Sequence, residues 1–243
     1  MEVRVQKYLS DEGICSRREA EELIRRGLVS INGAVVKEMG VKIDPEKDRV
    51  ELLREARGRE KRSLSVAFNK PRGVVSSRIQ TEGKTIYDME PKLIQLDIVG
   101  RLDKESEGLI ILSNDGVIAR AVTGDDHVTE KEYEVTVQEE ISERRLVRSF
   151  LEGMDLKDGK TLPARVKVVN KNTFKVILKE GRNHQIRRMC EHIRLTVIKL
   201  KRIRVGPVVL HNLKPGEYRP LSEWEVAELR GMRKSLKKKE SLS

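Results

Sequence analysis

At 243 residues the chain exceeds the roughly 100 to 150 residues usual for one domain, so it should divide into two units, the larger able to bury a sizeable core. Fifty Lys and Arg against 39 Asp and Glu leave a net charge of +11, which points to a polyanionic partner, nucleic acid first. Two distant cysteines, Cys15 and Cys190, exclude a disulfide framework and any CxxC zinc or redox motif. No run of about 18 apolar residues and no signal-peptide core occurs either, so a reduced, soluble, cytoplasmic protein with no membrane partner is expected.

The positive excess is local. Residues 1 to 60 carry 13 basic and 13 acidic side chains, whereas residues 181 to 204 carry eight basic ones against the single acid Glu191. The stretch from Arg230 to Ser243 adds six basic residues and one acidic, without apolar periodicity. It reads as a disordered basic tail, serving solubility or RNA contact.

In chain order, Val5, Tyr8 and Leu9 share one face of a short helix that Gly13 ends. Ser16 to Glu19 (SRRE) is a capping box opening a second helix, with Ala20, Leu23 and Ile24 inward and Gly27 as its stop. Asn32-Gly33 between β-formers marks a hairpin, and VKIDPEKDRVELL supplies a further turn and strand. Arg17, Arg18, Arg25 and Arg26 project from the second helix, either towards phosphates or as a solvated face paired with Glu21 and Glu22. This pattern resembles the S4 RNA-binding domain over about residues 3 to 50. The resemblance implies that Ser16, Arg17 and Arg18 face RNA, with Lys7 a weaker candidate.

Arg54 to Arg62 lacks apolar periodicity and reads as a linker, which would let the first module move. Ser65 to Ser76 then suggests two short β-like runs around the turn Lys70-Pro71-Arg72-Gly73. A helical turn over Thr85 to Met89, broken by Pro91, and a strand over Leu96 to Val99 lead into Gly100 to Leu112, GRLDKESEGLIIL. There Asp103 stands just ahead of a run short enough to be a buried strand. Desolvation and a cationic partner can make such a carboxylate a nucleophile or base, although a solvated loop Asp or a turn cap fits the local residues too.

After the turn Asn114-Asp115-Gly116 and a short helix over Val117 to Val122, KEYEVTV alternates from Lys131 to Val137 and turns Tyr133 inward. Tyr133 is either a core residue or a ring on which a base stacks. A helix over Arg144 to Phe150 and strands over Thr161 to Val169 and Thr173 to Leu178 follow. In EGRNHQIRRMCEHI, Gly181 and Asn183 announce a helix start, with Ile186, Met189, Cys190 and Ile193 inward and Arg187 and Arg188 at the margin, where a guanidinium can hold a buried carboxylate. Lys199, Lys201, Arg202 and Arg204 lie on a strand over Thr196 to Val205 that can track a phosphate backbone. Ser222 to Glu225 is another capping box, whose helix places Trp224 and Leu229 near the core.

Taken together, FNKPRG, GRLDKESEGLIILSNDG, KEYEV and NHQIRRM, in this order, resemble the RNA pseudouridine synthases that join an S4 domain to a catalytic domain, to about Leu229. EGRNHQIRRMCEH looks closest to members acting on 23S rRNA, some of which resemble tRNA modifiers. The resemblance implies that Asp103 is the essential carboxylate, attacking the ribose C1′ or abstracting a ribose proton to give a glycal. It implies that Tyr133 stacks on the uracil, that Arg187 pairs with Asp103, and that Arg101 fills the gap left by the extruded nucleotide. Ile186 and Leu109 would line the pocket, and Lys70 with Pro71 would support it.

The chemistry calls for no redox change or metal, and His127, His184, His192 and His211 show no ligand spacing, so no cofactor is expected. The expected organisation is α+β. A small α/β S4-like domain (1–58) is joined to a catalytic domain (63–231) with a mixed, largely antiparallel sheet flanked by helices, followed by the tail (232–243), the whole monomeric. A tRNA or 16S rRNA target and a non-catalytic ribosome-assembly factor are the alternatives. No Gly-rich strand-to-helix loop suggests a methyltransferase.

Overall fold

A computed structural model describes residues 2–53, 63–124 and 129–232. The expected linker over Arg54–Arg62, His127 and the basic tail from residue 233 lie outside them. In the N-terminal module, β1 (Val3–Arg4) runs into α1 (Val5–Asp11), and α2 is Arg17–Arg25. The capping box forms as expected. Ser16 Oγ accepts from the Glu19 amide at 3.2 Å, while the Glu19 carboxylate accepts from the Ser16 amide at 2.8 Å. Val5, Leu9, Ala20 and Ile24 form a small core with Val29 and Ile43. Strands β2 (Val29–Ile31) and β3 (Ala34–Val36) meet at Asn32-Gly33, whose φ values of 51° and 84° are those of the tight hairpin turn. Next, β4 (Lys42–Ile43) pairs with β1, and β5 (Val50–Leu52) with β2.

The second unit is built on β6 (Ser65–Lys70), β7 (Asp97–Val99), β8 (Glu107–Ser113) and β9 (Lys131–Val137), then β10 (Asp155–Leu156) and β11 (Gly159–Lys160) as a separate hairpin. It continues with β12 (Arg165–Asn170), β13 (Thr173–Leu178), β14 (Val197–Val205), β15 (Val208–Val209) and β16 (Tyr218–Pro220). The main sheet runs β12-β13-β9-β14-β8-β6-β16, with β15 on β14 and β7 on β8. Every pairing is antiparallel except β14 with β8, so the sheet is mixed and largely antiparallel, as expected.

Helices α3 (Ile86–Met89), α4 (Gly116–Thr123), α5 (Glu143–Glu152), α6 (Gln185–His192) and α7 (Glu223–Gly231) cover it. The run LIIL is a strand buried on both faces, which is why it reads as continuously apolar. Leu109 and Ile111 pack with Ile118, Val122 and Leu229 of α4 and α7, whereas Ile110 and Leu112 pack with Ile86 and Tyr87 of α3. On the other half of the sheet, Val135, Val137, Phe174 and Val176 meet Leu146 and Phe150 of α5 and Ile186, Met189 and Cys190 of α6.

Three expectations are corrected. The residues after Lys70 form a turn with one isolated bridge, Val75 to Thr85, rather than a second strand, because Gly73 takes a φ of 83° and Lys70 folds back onto the turn. Strand β12 begins at Arg165 rather than Thr161, whose hydroxyl accepts from the Met154 amide at 2.9 Å. Trp224 is 62 % exposed. The capping box at Ser222 instead turns Glu225 inward, where Arg219 grips it with two nitrogens at 2.7 and 2.8 Å.

The N-terminal module touches the second unit at α4. Asp11 and Arg120 pair at 3.1 Å, and a side chain at Gly116 would overlap Ser16.

Candidate active site

A cleft of about 700 Å³ opens where the two halves of the sheet meet. Its walls come from the loop after β7 (Arg101, Leu102, Asp103, Ser106), from β9 (Lys131, Tyr133), from β14 (Leu200, Arg202) and from the turn leading into α6 (Glu180 to Ile186). Asp103 is reachable, with its side chain 36 % exposed.

The loop that carries Asp103 is clamped through its main chain. Ser76 Oγ donates to the Leu102 carbonyl at 2.9 Å and accepts from the Leu102 amide at 3.2 Å. The fully buried Lys70 donates from Nζ to the Val74 carbonyl at 2.6 Å and to Pro71 and Lys104 at 3.0 and 3.5 Å. Arg202, 3 % exposed, donates to the Leu109 carbonyl at 2.7 Å and to the Arg101 carbonyl at 3.3 Å. Arg187 reaches the Glu105 carbonyl at 3.3 Å and the Val197 carbonyl at 3.4 Å. Four side chains from three parts of the chain thus fix residues 101 to 105. Dehydration pulls the Lys70 ammonium down to about 8, although nearby Asp103 works against it.

The opposite wall is fixed by Glu180, 4 % exposed, whose carboxylate accepts from the Leu162 amide at 3.0 Å, from Gln185 Nε2 at 2.5 Å and from Arg182 Nε at 3.0 Å. Arg182 also donates to the Gly159 and Lys160 carbonyls of the β10–β11 hairpin. This network delivers His184 to the head of α6 in the left-handed conformation, φ 48°, ψ 27°, with Nε2 3.4 Å from Asp103 Oδ1.

Asp103, Tyr133, Arg101 and Ile186 line one cleft, with Tyr133 half-buried and Arg101 exposed. Among the described residues no ion pair joins Arg187 to Asp103. As the third residue of α6, Arg187 directs its guanidinium to the two main-chain oxygens, and His184 stands beside the carboxylate. Leu109 does not line the cleft, because the pleat of β8 sends it to the α4 and α7 core, and Leu102 takes the lining position.

Lys70 is a fully buried support, and Arg202, though it lines the cleft, is 3 % exposed with its guanidinium given to main-chain carbonyls. Arg188 is held bidentately by Asp158 at 2.8 and 2.9 Å. Arg204 is paired with Glu130 and Glu132, and Lys199 with Glu107 at 3.2 Å, so the β14 cations are largely neutralised by the strands beside them. Lys201 is half-buried. In the N-terminal module Arg17 and Arg18 are exposed, whereas Ser16 Oγ is committed to its cap.

Sequence reasoning missed Ser76, Ser106, Lys131, Glu180 and His184. Lys131 was within reach of the alternation argument, since it stands two residues before Tyr133 on one face of β9. Ser106 is 1 % exposed, and its hydroxyl has no hydrogen-bond partner among the described residues.

Comparisons with known proteins bear on the family and the fold. Residues 65–192 match the family model for RNA pseudouridylate synthase, and residues 3–50 match the S4 domain. The chain is 36 % identical over 236 residues to an uncharacterised RNA pseudouridine synthase of Aquifex aeolicus, covering 94 % of both chains. It is 39 % identical to the dual-specificity RNA pseudouridine synthase RluF of Escherichia coli, covering 93 % of this chain and 78 % of that protein. With the ribosomal large subunit pseudouridine synthase B of Bacillus subtilis the identity is 37 %, covering 94 % of this chain and 96 % of that one. A crystal structure of a pseudouridylate synthase superposes with a TM-score of 0.69 at 31 % identity, over 93 % of this chain and 99 % of the other. The chain therefore belongs to the RNA pseudouridine synthases, enzymes that isomerise uridine within RNA, and carries an S4 domain ahead of its catalytic unit.

Proposed function

We propose that this enzyme converts one uridine of ribosomal large-subunit RNA to pseudouridine, with Asp103 as its essential carboxylate. The observation that carries the reading is the meeting of Asp103, Tyr133 and Arg101 in one cleft. The reaction breaks the bond from uracil N1 to C1′, turns the base and joins C5 to the same carbon. The base must therefore leave its stack and stay captive. Tyr133 offers the stacking face, Ile186 an apolar edge, and Arg101, exposed at the rim, takes the place of the extruded nucleotide. Arg187 acts through the loop, fixing Glu105 and so the direction of Asp103. Isomerisation changes neither composition nor oxidation state, so the chemistry calls for no cofactor.

Arg17 and Arg18 hold the phosphate backbone, and the enzyme works as a monomer in the cytoplasm. The ribosomal target rests on the Bacillus subtilis relative.

Two measurements test this. Asp103→Asn abolishes turnover while RNA affinity stays within about twofold, since one partly exposed carboxylate contributes little to binding a polyanion. An active Asp103→Asn protein removes the mechanism. Mapping pseudouridines in total RNA from cells with and without the gene shows one large-subunit position lost. Loss of a tRNA or small-subunit position instead overturns the target.

A further inference from the structure

The charged groups lining the cleft are Asp103 and Arg101 on the loop after β7, Lys179 just after β13, Glu180 and Arg182 ahead of α6, Lys131 on β9 and Arg202 on β14. Glu180 and Arg182 are consumed by each other and by main chain, and Arg202 by the carbonyls of Leu109 and Arg101. The group that meets the Asp103 carboxylate is the imidazole of His184, at 3.4 Å. The contact is built. A non-glycine residue in the left-handed region is sterically disfavoured, and His184 adopts it with no side-chain cap in return, held there by the Glu180–Gln185–Arg182 network. Without this neighbour, a partly exposed carboxylate on a loop has several staggered rotamers open to it.

We propose that His184 is a positioning residue for Asp103: its Nε2 holds Oδ1 in the uridine-free enzyme, so that the carboxylate meets C1′ or the ribose proton in one orientation. This rests on Asp103 being the essential carboxylate. The imidazole orients the carboxylate without closing it off, since the Asp103 side chain remains 36 % exposed beside it.

The test uses the full-length enzyme with uridine-containing RNA and three variants. Asn accepts the left-handed backbone but is too short to reach Asp103, whereas Gln has the reach of Nε2. His184→Asn is expected to lower the single-turnover rate about tenfold or more, at unchanged RNA affinity. His184→Gln is expected to recover most of the rate.

Rescue by Asn rather than Gln would show that the backbone conformation alone matters and would overturn the proposal. So would rates within about twofold of wild type in both, or a loss lying wholly in RNA affinity. Should His184→Asn fail to fold, His184→Gly takes its place, since glycine accepts the same backbone and has no side chain to reach Asp103; a rate within about twofold of wild type then overturns the proposal. Asp103→Asn separates the two readings. If it is active the underlying assignment falls, whereas if it is inactive and the His184 variants are unaffected, only this inference falls.

Discussion

Lys131 shares a face of β9 with Tyr133, and its amine donates to the Thr129 carbonyl at 3.4 Å. Burial, helped by the neighbouring Arg202 guanidinium, pulls its ammonium from 10.5 down to about 8. In the unfolded chain that shift is gone. Between about pH 8 and 10.5 the folded protein therefore binds fewer protons than the unfolded one, and its stability rises with pH across that window. Lys70, also drawn to about 8, acts in the same direction. Lys131→Met removes one of the two contributions, so the rise in urea midpoint between about pH 7.5 and 9.5 should be smaller in the variant than in wild type. Equal rises would show that the lysine is not dehydrated in the fold. At this scale Asp103 and Tyr133 were legible because each sits in a pattern with a meaning of its own, an acid before an apolar run and an inward position in an alternating strand. His184 was not legible, because its role depends on a backbone conformation set by Glu180, Arg182 and the β10–β11 hairpin.

Strands β8 and β14 run parallel and are in register at Lys201 with Glu107 and Arg202 with Gly108. Gly108 takes a φ of 105°, and a β-carbon there would run into the Arg202 main-chain oxygen. Gly108→Ala forces the strands apart beside the Asp103 loop and should cost about 2 to 4 kcal/mol, read as a lower urea midpoint, with activity falling more than stability explains. A variant of wild-type stability would mean that the sheet gives way cheaply there. Element boundaries were legible wherever the signal is local. The capping boxes at Ser16 and Ser222, the Asn32-Gly33 turn and the two-residue period of β9 all read through to structure. Trp224 shows the limit. Helical phase was judged from apolarity, but a buried Glu225 with an arginine partner outweighs an indole that solvent tolerates at the surface.

At the scale of the whole molecule the charge is less available than its total implies. Much of the basic excess after residue 180 is taken up by Glu107, Glu130, Glu132 and Asp158 or buried beneath the Asp103 loop. Arg17 and Arg18 of the N-terminal module remain exposed. Replacing both with alanine should weaken binding to RNA of any sequence and flatten the plot of log affinity against log salt by roughly 1 to 2. An unchanged slope would place the phosphate contacts elsewhere. The two-unit organisation was legible from the change of pattern after residue 53, whereas the neutralisation of β14 was not, since its partners lie on strands distant in sequence.

The doubly covered strand β8 has one more consequence. The amides of Ile110 and Leu112 have no route to solvent except through loss of both layers above and below, so this strand belongs to the last part of the molecule to open. Asp103 lies four residues upstream of that strand on a loop clamped through its main chain, so on heating the arrangement around it should give way together with the fold rather than ahead of it.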